Sequence, residues 1–460
     1  MTTNAIASLE TEPVGRLLLR YALPAIAGTV VFSLYNVVDS IFIGHWVGEY
    51  ALAALAVAFP VMNLSIAFGS LFGIGGAALC SIRLGEKDYA GAQIVFGNVF
   101  SIGLLVGIIF GGVSTIFLEP VMVAFGASQQ TLSYAVDFMT IVQLSVPVSF
   151  TFFNLTHMMR ASGNPNRALA ALCLSVGVNL VLAPVFIKLF GWGIRGAALA
   201  TLGAQLCGLA FCLRHFLSGK GGLRFTRGIY RPRAGTVLPV LSIGSAPSIL
   251  NACACIIAVL INMQLLAHGG DLAVGAYGIF SRVVILVAMV VVGLTQGMQP
   301  IVGYNHGACR YDRVRRAFTL TLVVGTAITT LGFLVCEIFP EAIARAFTSN
   351  QELIDFTVRG LRIGPAAFAL VGGQIVTNNF FQSIGRGKTA AALSTTRQLV
   401  FLVPGLLIFP RYFGQAGVWM SLPVADILAV IVTAAAFIWF RRNYSPNIVM
   451  KAKPLAGRDD

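Results

Sequence analysis

The chain has 460 residues, of which 57% are hydrophobic and only 10% are charged. Because a soluble domain carries about 25% charged residues, this composition excludes a soluble globular protein and indicates a helical membrane protein. A net charge of +14 is also typical of nucleic-acid-binding surfaces, but here the basic residues lie in loops between apolar segments, which is the pattern of membrane topology.

Glycine, proline and charge clusters divide the apolar sequence into twelve predicted spans. In chain order they cover residues 17–43, 50–78, 93–117, 131–158, 168–189, 195–215, 238–266, 272–302, 317–339, 351–382, 391–410 and 415–440. The predicted domains are an N-terminal six-helix lobe (1–216), a cytoplasmic linker (217–237), a C-terminal six-helix lobe (238–445) and a cytoplasmic tail (446–460). Lys and Arg are concentrated in one set of loops, so the positive-inside rule predicts that this set and both termini are cytoplasmic.

The first span contains an acid, Asp39, within "LYNVVDSIFIGHWVG", and no basic residue is close to it in the sequence. A charged Asp at the bilayer centre costs about 2.5–3.5 kcal/mol, so Asp39 is expected to face a cavity or a partner. Tyr35 lies one turn earlier on the same helix face, with Asn36 close to it. A carboxylate that binds and releases a proton would couple proton flow to conformational change; the alternative is a structural Asp bonded to a neighbouring helix. Pro24, on the same helix, predicts a kink.

The second half repeats the first. Residues of the first half recur 222 or 223 positions later, as Pro24 and Pro247, Asp39 and Asn262, His45 and His268, Gly75 and Gly297, Gly85 and Gly307, and Gly163 and Gly385. Six spans is an even number, so both halves enter the membrane from the same side and form a parallel repeat. A duplicated structure of this kind suits alternating access, in which two lobes rock around a site.

Further charges lie within the predicted spans. Asp426 and Arg397, in spans twelve and eleven, are expected to pair across helices, as a static pair or as a coupling device. Arg282 and Arg359 either line a cleft between the lobes or serve as anchors. Asp137 occupies the repeat position of Arg359, so a charge pair between the lobes is a further alternative.

Polar, aromatic and methionine side chains of the spans are the candidates for substrate binding, because adaptable walls of this kind suit promiscuous sites. They are Tyr35, Asn36, Met263, Gln264, Tyr277, Met298, Gln299, Asn378 and Asn379. Ordinary helix packing is the alternative for each of them.

Several stretches of the sequence are similar to one known family. They are "LPAIAGTVVFSLYNVVDSIFIG", "RLGEKDYAGA", "RASGNPNRA", "GWGIRGAALAT", "FQSIGRGKTAAALSTTRQ" and "GQAGVWMSLPVAD". On these residues the chain resembles the MATE (multidrug and toxic compound extrusion) family, most closely its MepA-like branch, from about Pro13 to Tyr444. The resemblance implies an all-α membrane protein with twelve transmembrane helices in two pseudo-symmetric six-helix lobes around a V-shaped cleft. It also implies export of bulky, often cationic and aromatic compounds in exchange for H⁺ or Na⁺.

The resemblance extends to a cation-coupling group. In cation-coupled relatives the first-span aspartate works with an Asn, an Asp four residues later and a Thr, on spans five and six. Asn179 and Thr201 match this pattern here, but Ala183 stands where the second acid would be. Hard cations prefer several oxygen ligands, so H⁺ is favoured over Na⁺ as the coupling ion, with Asp39 as the titrating group.

The predicted function is therefore secondary active multidrug efflux across a bacterial-type inner (plasma) membrane, with drug-like substrates and the bilayer as partners. No enzymatic activity, cofactor, metal or nucleic-acid partner is expected, and the chain is expected to act as a monomer. One alternative is a flippase for a lipid-linked intermediate, which would show a more strongly cationic cleft. Another is a membrane-embedded lipid-modifying enzyme, which would need Asp, Glu or His clustered near one face; the sequence shows no such cluster.

Overall fold

Long helices that run up and down the molecule make up the fold in this computed structural model. The structure describes residues 8–218 and 222–443, apart from the side chains of Asn36, Glu49, Cys255 and Asp271. The helices are α1 Val14–Trp46, α2 Glu49–Gly85, α3 Tyr89–Ile116, α4 Gln129–Ala161, α5 Pro165–Pro184 with a π-helical extension Val185–Leu189, α6 Gly193–Leu217, α7 Ala234–Gly270, α8 Leu272–Gly307, α9 Tyr311–Ile338, α10 in two pieces (Gln351–Ile363 and Phe368–Ser383), α11 387–413 and α12 415–443. Short helices Leu118–Ala124 and Pro340–Phe347 join α3 to α4 and α9 to α10.

Within the described part of the chain, ten helical segments are long and apolar enough to cross a membrane. One of them, Gly387–Asn443, is two helices that meet at Gly414, and the interrupted α10 supplies the twelfth. The predicted number of spans is therefore correct, while most ends differ by a few residues. In α10 the break lies at 364–367, where Pro365 cannot donate a helix hydrogen bond. Pro24, where a kink was predicted, does not interrupt α1, which continues as one helix from Val14 to Trp46.

Three apolar clusters divide the molecule into two lobes joined at one end. We call the end where residues 14 and 443 lie the terminal end, and the opposite end the far end. The largest cluster contains side chains of both halves, such as Leu17, Phe96, Met298 and Phe380. The second cluster lies wholly in the first half and the third wholly in the second half. The lobes thus share a core at the terminal end and have separate cores toward the far end.

Paired glycines explain why part of the sequence repeat exists. A Cβ on Gly85 of α2 would lie 1.9 Å from the carbonyl oxygen of Tyr304, and one on Gly307 of α8 would lie 2.1 Å from that of Ile82. Each glycine of this repeated pair therefore meets the carbonyl three residues before the other. Only a residue without a side chain permits backbones to approach so closely. The repeat places these contacts about a pseudo-twofold axis at the terminal end.

The segment before α1 strengthens the same closure. Leu9 is fully buried in the shared core, and its carbonyl oxygen accepts hydrogen bonds from Asn305 Nδ2 at 3.2 Å and Arg313 Nη2 at 3.1 Å. Arg310 forms a salt bridge of 2.7 Å with Glu10. The start of the first lobe is thereby bound to the loop between α8 and α9 of the second.

The connection between the lobes is folded against α3. The linker was predicted at 217–237. In the structure α6 ends at Leu217 and α7 starts at Ala234, and residues 219–221 lie outside the described part. Asn98 Nδ2 donates to the carbonyl oxygens of Ile229 and Arg231, and its Oδ1 accepts from the Arg233 amide. Phe225 packs among aromatic rings of the first lobe. Residues 1–7 and the predicted tail at 446–460 also lie outside the described part.

Candidate functional site

A hydrogen-bonded polar cluster lies inside the first lobe, where α1, α5 and α6 meet. The Thr201 hydroxyl is its centre: it donates to the carbonyl of Ala197 at 3.2 Å, accepts from Asn179 Nδ2 at 3.3 Å and lies 3.0 Å from the Tyr35 hydroxyl. The structure therefore brings together Asn179 and Thr201, which the family resemblance selected, and adds Tyr35 as a direct partner. Tyr35 faces this lobe interior and not the cleft between the lobes.

Asp39 lies one turn beyond Tyr35 on α1 and is half-buried. Its Oδ1 atom is buried and has no hydrogen-bond partner among the described residues. The described chain also gives it no salt bridge, and it makes no direct hydrogen bond to Asn179 or Thr201. A buried carboxylate oxygen without a donor is costly, because the transfer out of water is not compensated. The site therefore has unused capacity to bind a proton or another cation at this atom.

The polar cluster lies beside the apolar core of the first lobe and a narrow crevice. Ala183 is fully buried in the apolar cluster of the first lobe, so the position of the family's second acid is occupied by hydrocarbon. A narrow crevice opens beside Tyr35 and is lined by Phe32, Phe153, Ser175, Asn179, Thr201 and Gln205, among others.

Two crevice residues were not singled out from the sequence. Ser175 lies four residues before Asn179 on α5, and Gln205 lies four residues after Thr201 on α6, where it accepts a hydrogen bond from Ser149 of α4. Residues four apart share one helix face, so this spacing was the signal that could have revealed them.

The other charges within the spans are distributed as follows. Arg397, in a π-helical turn of α11, donates from Nε at 2.7 Å and from Nη2 at 2.6 Å to Oδ1 of Asp426 on α12. The predicted pairing is therefore present. Asp137 instead pairs with Arg195 of its own lobe at 2.7 Å, so the suggested contact with Arg359 between the lobes is wrong in this structure. Arg359 is exposed.

Arg282 is likewise exposed on α8.

The free cysteines, as far as the chain is described, are Cys80, Cys173, Cys207, Cys212, Cys253, Cys309 and Cys336. In the part of the chain that the structure describes, no three or more His, Cys, Asp or Glu side chains form a group that could hold a metal ion.

The substrate candidates do not form one site. Met298 is fully buried in the shared core, and Gln299 Nε2 donates to the carbonyl of Ile74 across the lobe interface at 3.2 Å. Both were predicted to contact substrate from the cleft between the lobes, and the structure corrects this because α8 packs tightly against α2 at the terminal end. Met263, which is 62% exposed, and the half-buried Gln264 lie on the far half of α7.

The remaining candidates lie inside the second lobe. Tyr277 packs against Phe280 and Trp419, with ring centroids 5.9 and 6.1 Å away. Asn378 Nδ2 is 3.5 Å from Ser394 Oγ, and Asn379 donates to the carbonyl four residues earlier. The side chain of Asn36 lies outside the described residues.

Twelve membrane-spanning helices in two pseudo-symmetric lobes, with an acid and a polar crevice inside the first, define a membrane transporter fold. The chain belongs to the MatE family, whose model matches residues 24–185 and again residues 247–407. The same model thus matches both halves of the repeat.

Relatives and solved structures agree with this membership. Multidrug export protein MepA of Staphylococcus aureus (strain N315) is 27% identical over 439 residues, which cover 94% of this chain and 95% of the relative. The ligand-bound structure of the MATE multidrug transporter DinF-BH is 35% identical, with a TM-score of 0.87 over 94% of this chain and 97% of that one. The fold also matches an outward-facing MATE family transporter of the MOP superfamily, with a TM-score of 0.89 at 24% identity over 96% of this chain and 98% of that one.

Proposed function

We propose that the protein exports bulky, drug-like compounds in exchange for H⁺ and that Asp39 is the coupling acid. The observation that carries the proposal is the state of this side chain: a half-buried carboxylate on a membrane-spanning helix, with a buried oxygen that no described side chain or amide binds. An acid kept in such surroundings at a cost of a few kcal/mol is typical of ion pathways.

Alternating access provides the route. The lobes share a core at the terminal end and separate toward the far end. The loops at the terminal end carry most of the Lys and Arg, so the positive-inside rule assigns that end to the cytoplasm. The conformation described here is then open to the outside, and transport requires the terminal contacts to break while the far ends close.

The composition of the site favours H⁺ over Na⁺. A bound Na⁺ needs several oxygen ligands, whereas a proton needs one. Asp39 is the single carboxylate beside the polar cluster in the described structure, and buried Ala183 offers no second one. The Thr201 hydroxyl is already committed to three neighbours.

Relatives suggest the substrate class. MepA is named for multidrug export, and DinF-BH is named a multidrug transporter. A cationic compound and a proton compete naturally for one carboxylate, because each neutralises it, and such competition produces exchange.

The test is transport by purified protein in sealed vesicles, with ethidium, a planar aromatic cation, as the probe. An imposed pH gradient without Na⁺ should drive ethidium transport by the wild type, and a Na⁺ gradient at uniform pH should not. Asp39→Asn removes the charge with little change in shape and should abolish gradient-driven transport.

Asp137→Asn is the matched control, since it removes another acid of the same lobe that is held by Arg195. It should transport like the wild type. If Asp39→Asn still accumulates ethidium against its gradient when only a pH difference is supplied, Asp39 is not the coupling acid.

A further inference from the structure

The terminal end of the first lobe contains a buried cation without a counter-charge. Arg160 lies in the last turn of α4 and is only 8% exposed. Its one described hydrogen bond joins Nη2 to Nδ1 of His157 at 2.9 Å. A guanidinium only donates, so this imidazole nitrogen accepts, and the pair carries the full positive charge of the arginine.

Every other donor of that guanidinium lacks a described partner. A guanidinium has five N–H groups, of which the contact with His157 uses one. No carboxylate of the described residues forms a salt bridge with Arg160. Burial of an unpaired ion is strongly unfavourable, and arginine cannot escape the cost by losing its proton.

Surrounding residues show that the position is well packed and not a loose end. His157 lies against Gly73 of α2, where an added Cβ would come within 3.1 Å of the imidazole. Met158 and Met159, the neighbours of Arg160 in sequence, are fully buried in the shared core. No Arg160 nitrogen is both buried and without a hydrogen-bond partner, so the unbonded N–H groups of the guanidinium are accessible to a ligand.

We propose that Arg160 is the centre of an anion site that binds a phosphate group, either of an acidic phospholipid or of free phosphate. The planar fork of a guanidinium matches two phosphate oxygens and binds them with charge-assisted hydrogen bonds. Arg160 lies within two residues of the end of a membrane-spanning helix, which is the depth of lipid headgroups. Basic pockets between helices at this depth are known to bind acidic headgroups.

The test compares the wild type with Arg160→Gln and with Arg214→Gln. Arg214 is the matched control, because it is an exposed arginine at the terminal end of α6 in the same lobe. Purified full-length protein is titrated with phosphatidylglycerol and with phosphatidylcholine, and bound lipid is counted by native mass spectrometry. A second arm measures the thermal midpoint with inorganic phosphate against chloride at equal ionic strength.

Phosphatidylglycerol should bind the wild type and Arg214→Gln more tightly than phosphatidylcholine does, and Arg160→Gln should lose about tenfold of that affinity. A midpoint raised by inorganic phosphate in the wild type but not in Arg160→Gln, with no lipid preference, would support the site with free phosphate as its ligand. If Arg160→Gln does not fold, Arg160→Lys replaces it; lysine keeps the charge but not the fork, and should bind phosphatidylglycerol more weakly than the wild type. The proposal is overturned if neither lipid nor phosphate distinguishes the wild type from the folded Arg160 variant.

Discussion

Gly85→Ala should disturb the closure of the terminal end. The added Cβ would lie 1.9 Å from the carbonyl oxygen of Tyr304, where an ordinary contact needs about 3.4 Å, so the two backbones would have to separate by about 1.5 Å. The obstacle is a backbone atom and cannot rotate away. Overpacking of this kind typically costs about 1–3 kcal/mol. The cost falls only on the conformation with closed terminal contacts, so the equilibrium should shift away from it by about 5- to 150-fold.

Hydrogen–deuterium exchange measures this shift. In Gly85→Ala, amides of 78–86 and 300–308 should exchange faster than in the wild type, and export of ethidium should fall. Gly112→Ala is the control, because its Cβ would meet nothing within 4 Å on the same type of helix. Equal exchange in these segments for Gly85→Ala and the wild type, or an equal effect of Gly112→Ala, would refute the close-contact argument.

Three other substitutions test the polar contacts. Thr201→Val should lower the unfolding free energy by about 2–3 kcal/mol in denaturant titrations, because two partners lose their hydrogen bonds, whereas Thr201→Ser should cost much less. Asp426→Asn should cost about 1.5–3 kcal/mol because the half-buried Arg397 loses its charged partner, and replacing both residues with methionine should recover most of this loss; an equal loss in the single and the double variant would argue against the pair. Asn98→Ala should free the linker from α3 and speed its proteolysis, and unchanged cleavage would contradict the observed clamp.

The sequence predicted the helices well because a bilayer imposes a strong constraint. Each span needs about 20 apolar residues, and this signal is local. The pairing of Arg397 with Asp426 was also predictable, since charges within spans rarely remain unpaired. The repeated Gly85 and Gly307 were visible as a pattern, but their reason required coordinates, because the close contact joins residues that are far apart in the sequence.

Failures of prediction concern which neighbour covers a helix face. Met298 and Gln299 have the composition of a binding wall, yet α2 covers them, and spacing along α8 does not reveal this. Asp137 had an attractive repeat partner in Arg359, but Arg195 is nearer in space. Nothing in the sequence distinguishes Arg160 from the other loop-proximal arginines, because its isolation from every described acid is a property of the packed lobe.

The intramembrane acids of the two lobes have different surroundings, and under the proposed proton coupling this difference predicts which lobe responds to protonation. Asp426 is bound by two nitrogens of Arg397 at 2.6 and 2.7 Å, so adding a proton would break a strong pair and strand the guanidinium. Asp39 has no such partner among the described residues, and its repeat position in the second lobe is the uncharged Asn262. Protonation should therefore act on the first lobe alone. The second lobe would follow because the shared core and the Gly85 and Gly307 contacts connect the two at the terminal end, where a change in one lobe's shape must alter the other's packing.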